Sequence, residues 1–175
     1  MNSITHTCAK AYGRFRWLSS WVQSPFLLFV RLYWGLQFMQ TGWGKLHNLA
    51  HVAQFFASLG IPAPGANAVI VACVEFFGGA LLVLGFASRL AGLVLTGNML
   101  VAFFAADRDA LMSVFSDPGK FYSAAPYTFL FAAALILIFG PGWFALDTLM
   151  ARRYDSAQAP EQEHSLHPTS HADAA

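Results

Sequence analysis

The sequence predicts an all-α integral membrane protein, a four-helix bundle that crosses the bilayer with both chain ends on the cytoplasmic side. Two observations carry the fold class and a third the orientation. Of 175 residues, 57% are hydrophobic and only 11% charged, too apolar a balance for a water-soluble domain of this length. The charges are also swept to the ends and into loops, leaving four apolar runs almost free of them. Finally, Lys and Arg are spread unevenly between the segments that flank those runs.

Residues 1–23 carry Lys10, Arg14 and Arg16 with Trp17 and Trp21, a charged opening that resembles the start of a secretory signal. The next run, 25–46, has the roughly 20 residues a spanning helix needs and no small-residue cleavage pattern after it, so it reads as an uncleaved first span. The second run, 67–86, and the third, 90–106, are separated only by Ala87, Ser88 and Arg89, which makes them an antiparallel hairpin. The fourth follows Pro126 through FLFAAALILIF to a break at Gly140-Pro141-Gly142, ahead of Asp147 and the Arg152-Arg153 pair. Residues 24–150 then form the membrane domain, 1–23 a cytoplasmic segment, and 151–175 a polar, Ala-rich cytoplasmic tail expected to be disordered.

Orientation follows from the positive charges in the flanks. Lys10, Arg14, Arg16, Arg89, Arg152 and Arg153 fall on one side, against Lys45, Arg108 and Lys120 on the other. That bias puts both termini in the cytoplasm and the two long loops outside. Each loop contains an apolar stretch suited to a short interfacial helix, 48–59 and 107–115, before a turn at Pro62-Ala63-Pro64-Gly65 or Pro118-Gly119. The chain can be divided into two similar helix–loop–helix halves, although few residues match between them.

Several function classes are excluded or left without a motif. A net charge of +1 with no basic patch gives no footprint for nucleic acid. Cys8 and Cys73 are far apart, so neither a CxxC redox pair nor a disulfide framework is encoded. No two histidines lie within the spans, which excludes intrinsic bis-histidine haem ligation. His47 and His51 stand four apart, a spacing a metal can use, but no third ligand accompanies them, and His164, His167 and His171 sit in the tail.

The informative residues are the ionisable groups inside the spans, because an ionised side chain in hydrocarbon costs roughly 2.5 to 3.5 kcal/mol even on lenient scales. Counting a rise of about 1.5 Å per residue from the cytoplasmic ends puts Arg31 at ~10 Å, Asn98 at ~13 Å and Glu75 at ~16 Å. The expectation is one polar layer in which the Arg31 guanidinium faces the Glu75 carboxylate and Asn98 fills a remaining position. Such a layer is either a clamp that fixes helix register or a site for a proton, a quinone head group or an anionic ligand. The same count places Lys45 about 15 Å above Glu75, too far to pair, so it is expected to reach the lipid head groups at the outer end. Gln37, Gln40, Thr41 and Trp43 are candidates for an outward-facing cavity, with Trp43 also suited to anchoring at the interface.

Small residues accompany the charges. Arg31, Gly35, Phe38, Gly42 and Lys45 share one face of the first helix, and Glu75, Gly78, Leu82 and Gly85 share one face of the second, so these two faces are expected to meet.

The elements Arg31-Leu32-Tyr33-Trp34-Gly35, Gly42-Trp43-Gly44-Lys45-Leu46, Phe55-Phe56-Ala57-Ser58-Leu59-Gly60-Ile61-Pro62, Glu75-Phe76-Phe77-Gly78-Gly79 and Leu84-Gly85-Phe86-Ala87-Ser88-Arg89, in this order, resemble the DoxX family over roughly 25–150. That resemblance implies a small four-helix protein of the bacterial inner membrane, similar to a subunit of a quinone-linked oxidase that oxidises thiosulfate. It implies a subunit of a redox or oxidative-stress complex with a protein partner or second copy in the membrane, and it leaves the cofactor open with a quinone as the candidate. The alternative it implies is an accessory scaffold for a secreted or metal-handling peptide system. No cofactor motif accompanies it, so catalysis by this chain alone is left open. A small transporter is disfavoured, since no helix is broken by Gly or Pro at midspan.

Overall fold

A computed structural model of the chain describes residues 2–150 and 153. Among these residues every regular element is helical: α1 (Asn2–His47), α2 (Leu49–Ser58), α3 (Pro64–Leu84), α4 (Ser88–Ala106), α5 (Arg108–Met112), α6 (Pro118–Ser123) and α7 (Pro126–Phe139). Apart from residue 153, the tail expected to be disordered lies outside the described residues. Helix α1 continues through Pro25, so it begins well upstream of the first apolar run, whereas its end at His47 falls where that run stops.

Helices α3 and α4 have the length and composition to cross a membrane, with 21 and 19 residues and mean hydropathies of 2.1 and 1.6. Only 28% of each apolar window is buried inside the protein. The core helix of a soluble protein turns most of such a surface inward, but here Ile70, Phe77, Leu93, Val101 and Phe104 are exposed. A contiguous apolar exterior of this kind suits hydrocarbon and not water. Helix α7 has 14 residues, about 21 Å of helix. After the non-helical residues 140–145 the backbone turns helical again at 146–150.

The most extensive packing joins α1 to α3 and α4 to α7, while α2 lies along α3 and the α3–α4 hairpin links the two pairs. Glycine allows the α1–α3 contact to be close. A Cβ on Gly79 would stand 2.6 Å from the Gly35 carbonyl oxygen, and one on Gly42 would stand 2.8 Å from that of Ala72. Gly92 does the same for α4 and α7, where a Cβ would stand 3.1 Å from the Leu137 nitrogen. Without a hydrophobic drive between helices in lipid, this backbone proximity and its dispersion contacts hold such pairs together. The core between them is built on Phe38, Leu82, Leu95, Ala132, Ala133 and Ile136. Trp34 and Phe38 set their rings edge-on to Phe129, with centroids at 5.2 and 4.8 Å.

The stripe predicted on the first helix does face α3, but the stripe predicted on α3 divides. Gly85 of that stripe meets Arg31 of α1, whereas Gly78 packs against Leu95 of α4, and the close approach to α1 is made by Gly79, outside the predicted stripe. Between α3 and α4 the chain turns at Gly85 (φ +70°), whose N–H donates to the Leu81 and Leu82 carbonyls while the Phe86 N–H donates to Leu81. This is the glycine-terminated helix end that the left-handed conformation permits. In the loops, α2 closely matches the bounds of the short helix expected at 48–59. Pro118, read as part of a turn, instead opens α6, where the Asp117 side chain accepts from the Lys120 N–H. A proline in the first helical turn lacks only an N–H that would be unpaired there anyway.

Candidate ligand site

Two ionisable side chains are fully buried among the described residues, Arg31 and Glu75, at 1% and 2% exposure. They do not meet. The Arg31 guanidinium donates to three backbone carbonyls: from Nε to Leu82 at 2.9 Å, from Nη1 to Pro141 at 2.7 Å, and from Nη2 to Phe144 at 3.2 Å. Leu82 lies in the last turn of α3, where carbonyls and the helix dipole attract a cation. Pro141 and Phe144 belong to the break after α7, whose carbonyls have no helical partner. Buried backbone carbonyls need a donor, and Arg31 supplies it.

Asp147, which the sequence reading did not single out, completes this end of the molecule. Its carboxylate accepts from the N–H groups of Ala87 and Ser88 at 2.7 and 2.9 Å, and its own N–H donates to the Gly85 carbonyl at 3.0 Å. The segment after α7 is thereby tied to the α3–α4 turn. This contact caps α4 across 60 residues of sequence and sits beside Ala87, held at φ +47° without being glycine. The only hint in the sequence was an acidic residue shortly after a Gly-Pro-Gly break.

The Arg31–Glu75 pairing is therefore corrected, and so is the separation of Lys45 from Glu75. Lys45 Nζ lies 2.5 Å from Glu75 Oε1, and Asn98 Nδ2 donates to the same oxygen at 3.3 Å. The error came from counting depth from the ends of the apolar runs. Gly35 packs on Gly79 and Val83, and Gly42 on Ala72 and Phe76. In that register Arg31 comes level with Gly85, about seven residues or ~10 Å from where the count put it. Lys45 then stands about one turn beyond Glu75, and because helical side chains lean toward the N-terminus, its stem leans back toward the carboxylate.

The two ends of this ion pair differ in environment. Glu75 is enclosed, whereas the Lys45 side chain is 32% exposed. Oε1 accepts from both Lys45 and Asn98, but Oε2 is buried with no hydrogen-bond partner. A buried acceptor left unpaired costs on the order of 1–3 kcal/mol, which a stable fold does not leave in place without a reason.

Glu75 and Lys45 border two cavities. The larger, about 440 Å³, lies beneath α2 and is walled mainly by apolar side chains including Val52, Phe55, Phe56, Val71 and Val101, with Asn98 and His51 among its few polar groups. The smaller, about 210 Å³, lies between α1 and α7 against Phe38, Thr41, Met99 and Phe129. An apolar chamber of this size with a few convergent polar groups at one point is the usual form of a small-molecule site. Of the sequence candidates, Glu75, Asn98 and Lys45 are brought together, and Arg31 is not.

The other polar candidates are dispersed. His47 and His51 lie on separate helices. His47 Nδ1 contacts the Trp43 carbonyl at 2.9 Å, and its ring rests on Trp43. Trp43 is exposed and also packs on Phe76. Thr41 donates back to the Phe38 carbonyl at the edge of the smaller cavity. Among the described residues no three potential metal ligands come together.

The apolar exterior, the glycine-mediated helix pairs and the charged group enclosed between them define the class, an α-helical membrane protein. Residues 26–108, which include α2, α3, α4 and the apolar part of α1, match the DoxX family model. The chain is also 28% identical over 136 residues, 73% of its length and 94% of the relative's, to "Inner membrane protein YqjF" of Escherichia coli (strain K12). It is 27% identical over 120 residues, 69% of its length and 83% of the relative's, to "Putative oxidoreductase CatD" of Bacillus subtilis (strain 168). No solved structure matches the chain.

Proposed function

We propose that this protein is a multi-pass inner-membrane subunit of a redox-linked complex, and that the Glu75–Lys45–Asn98 group holds the head of a quinone-type ligand whose apolar body occupies the adjoining cavity. The observation that carries this reading is the enclosed carboxylate, half satisfied by Lys45 and Asn98, at the polar point of an apolar chamber of about 440 Å³. Lys45 and Asn98 supply donors for a carbonyl oxygen, and Glu75 supplies an acceptor for a hydroxyl, which are the two functions a quinone–quinol head presents. The names of the two relatives, one placed in the inner membrane and one in oxidoreduction, agree with it.

In this reading residues 24–150 form four spans, from the apolar part of α1, α3, α4, and α7 extended through the break that Arg31 closes. Both ends of the chain then face the cytoplasm, and α2 covers the site from the outer side. The redox centre belongs to a protein partner, since this chain contributes binding and orientation. Purification in mild detergent, with extraction of bound lipids and identification of co-purifying proteins, tests the function. A quinone and a redox-active partner are expected, whereas a secreted peptide partner with no quinone would favour a scaffold instead. Topology has its own test: a reporter fused at Ala159 is expected to give the cytoplasmic signal and one after Pro118 the external signal, and a reversed pair would invert the orientation.

A further inference from the structure

Apart from the ion pair, the structure contains other buried polar atoms without partners, the hydroxyls of Ser88 and Thr96, but neither borders a cavity described above. Glu75 borders two. What its carboxylate lacks identifies what it awaits.

We infer that the site selects ligands by a donated hydrogen bond, so that its occupant is an apolar molecule bearing a hydroxyl, a phenol or hydroquinone, in preference to the same skeleton in its carbonyl form. The inference rests on the reading of Glu75, Lys45 and Asn98 as a ligand site and deepens it. Lys45 and Asn98 each direct one N–H at Oε1, and neither reaches Oε2. Oε2 is the atom left over, and it is an acceptor. A carbonyl oxygen brings a second acceptor and would leave Oε2 as it is, whereas a hydroxyl proton fills the vacancy.

The geometry allows this with little rearrangement. Oε2 is closed to solvent, but the last torsion of a glutamate side chain is broad and two-fold, so a small rotation presents it to either cavity that Glu75 lines. The partly exposed Lys45 side chain is long enough to follow. The walls then set the body of the ligand. Val52, Phe55, Phe56, Val71 and Val101 offer apolar and aromatic contact, which suits an alkylated ring and disfavours a charged or sugar-like one. An alkyl amine could also donate to Oε2, but its ammonium would stand beside Lys45, and that like-charge contact argues for a neutral hydroxyl.

The test uses the full chain in lipid nanodiscs and four probes sharing a decyl chain: a benzoquinone, its hydroquinone, the dimethyl ether of that hydroquinone, and decylamine. Binding is read from intrinsic tryptophan fluorescence or by isothermal titration. The hydroquinone is expected to bind about tenfold more tightly than the quinone and the ether, the ratio expected for one net hydrogen bond. In Glu75→Gln, whose amide carries a donor as well as an acceptor, that preference should disappear. If this variant does not fold, Val71→Trp fills the larger cavity from α3 and should weaken all neutral probes together.

Equal binding of quinone and hydroquinone, or tighter binding of the quinone, overturns the inference while leaving the ligand site intact. Tighter binding of decylamine than of the hydroquinone overturns it in favour of a cationic ligand. A hydroquinone preference that survives Glu75→Gln overturns the assignment to this carboxylate. No binding of any probe by the wild-type protein removes the proposed site together with the inference.

Discussion

Arg31 and Glu75 are both enclosed charges on neighbouring helices, and they are treated in opposite ways. Arg31 spreads its donors over three carbonyls, two of them in the non-helical break, and the result is a closed joint between α1, the end of α3 and the break after α7. Glu75 is served on one oxygen and not on the other, and it borders open space. A buried ion whose hydrogen-bonding capacity is matched by the protein is a structural device; one whose capacity exceeds its partners is available to a ligand. The difference puts the closed joint at the α3–α4 turn and the proposed ligand site near α2.

The largest effect should come from breaking the closed joint. Arg31→Met removes the donors of three carbonyls at once and is expected to cost about 3–5 kcal/mol, seen as a large fall in thermal midpoint in detergent or loss of folded protein. The same variant separates the two regions. Combined with Glu75→Leu, its destabilisation should be additive within about 0.5 kcal/mol, because the two residues share no partner. A large coupling energy would mean that the regions are one site after all.

Next in size is the ion pair, where the expected asymmetry follows from exposure. Lys45→Met leaves an enclosed carboxylate with only Asn98 and should cost about 2–3 kcal/mol, whereas Glu75→Leu frees a lysine that can reach water and should cost under about 1 kcal/mol. The double variant should recover most of the stability lost in Lys45→Met yet bind no quinone-type probe. Equal losses in the two single variants would show that the two side chains are buried to the same degree in the membrane.

The smallest effect belongs to the cap. Asp147→Ala removes two acceptor contacts from the N–H groups of Ala87 and Ser88 and is expected to cost about 1–2 kcal/mol, with ligand binding unchanged. Thermal unfolding and the binding titration, run on one sample, check both halves. Lost binding at preserved stability would indicate that the two ends of the bundle are coupled.

The apolar runs were legible because apolar helices are written locally: hydropathy over about 20 residues, a short hairpin after Leu84, and prolines at the starts of α3 and α7. So was the shared face of α1, since a helical repeat of glycines and polar residues needs no tertiary information. The site was legible in composition, because Glu75, Asn98 and Lys45 were all singled out, but not in its pairing. Depth was counted from the edges of hydrophobic runs, and those edges do not define helix register. Asp147 could not be found this way, because its partners lie 59 and 60 residues away.

The sequence by itself determined an α-helical membrane protein, the places where its chain turns, and the few polar residues that must find partners inside it. Those properties depend on the local match between side chains and solvent. Only the tertiary structure decided which partners they find. The contact of Gly35 with Gly79 and of Gly42 with Ala72 slides α1 along α3 until Lys45, and not Arg31, reaches Glu75. Register between helices is set by the closest backbone approach that packing permits, a property of two surfaces that neither segment carries alone.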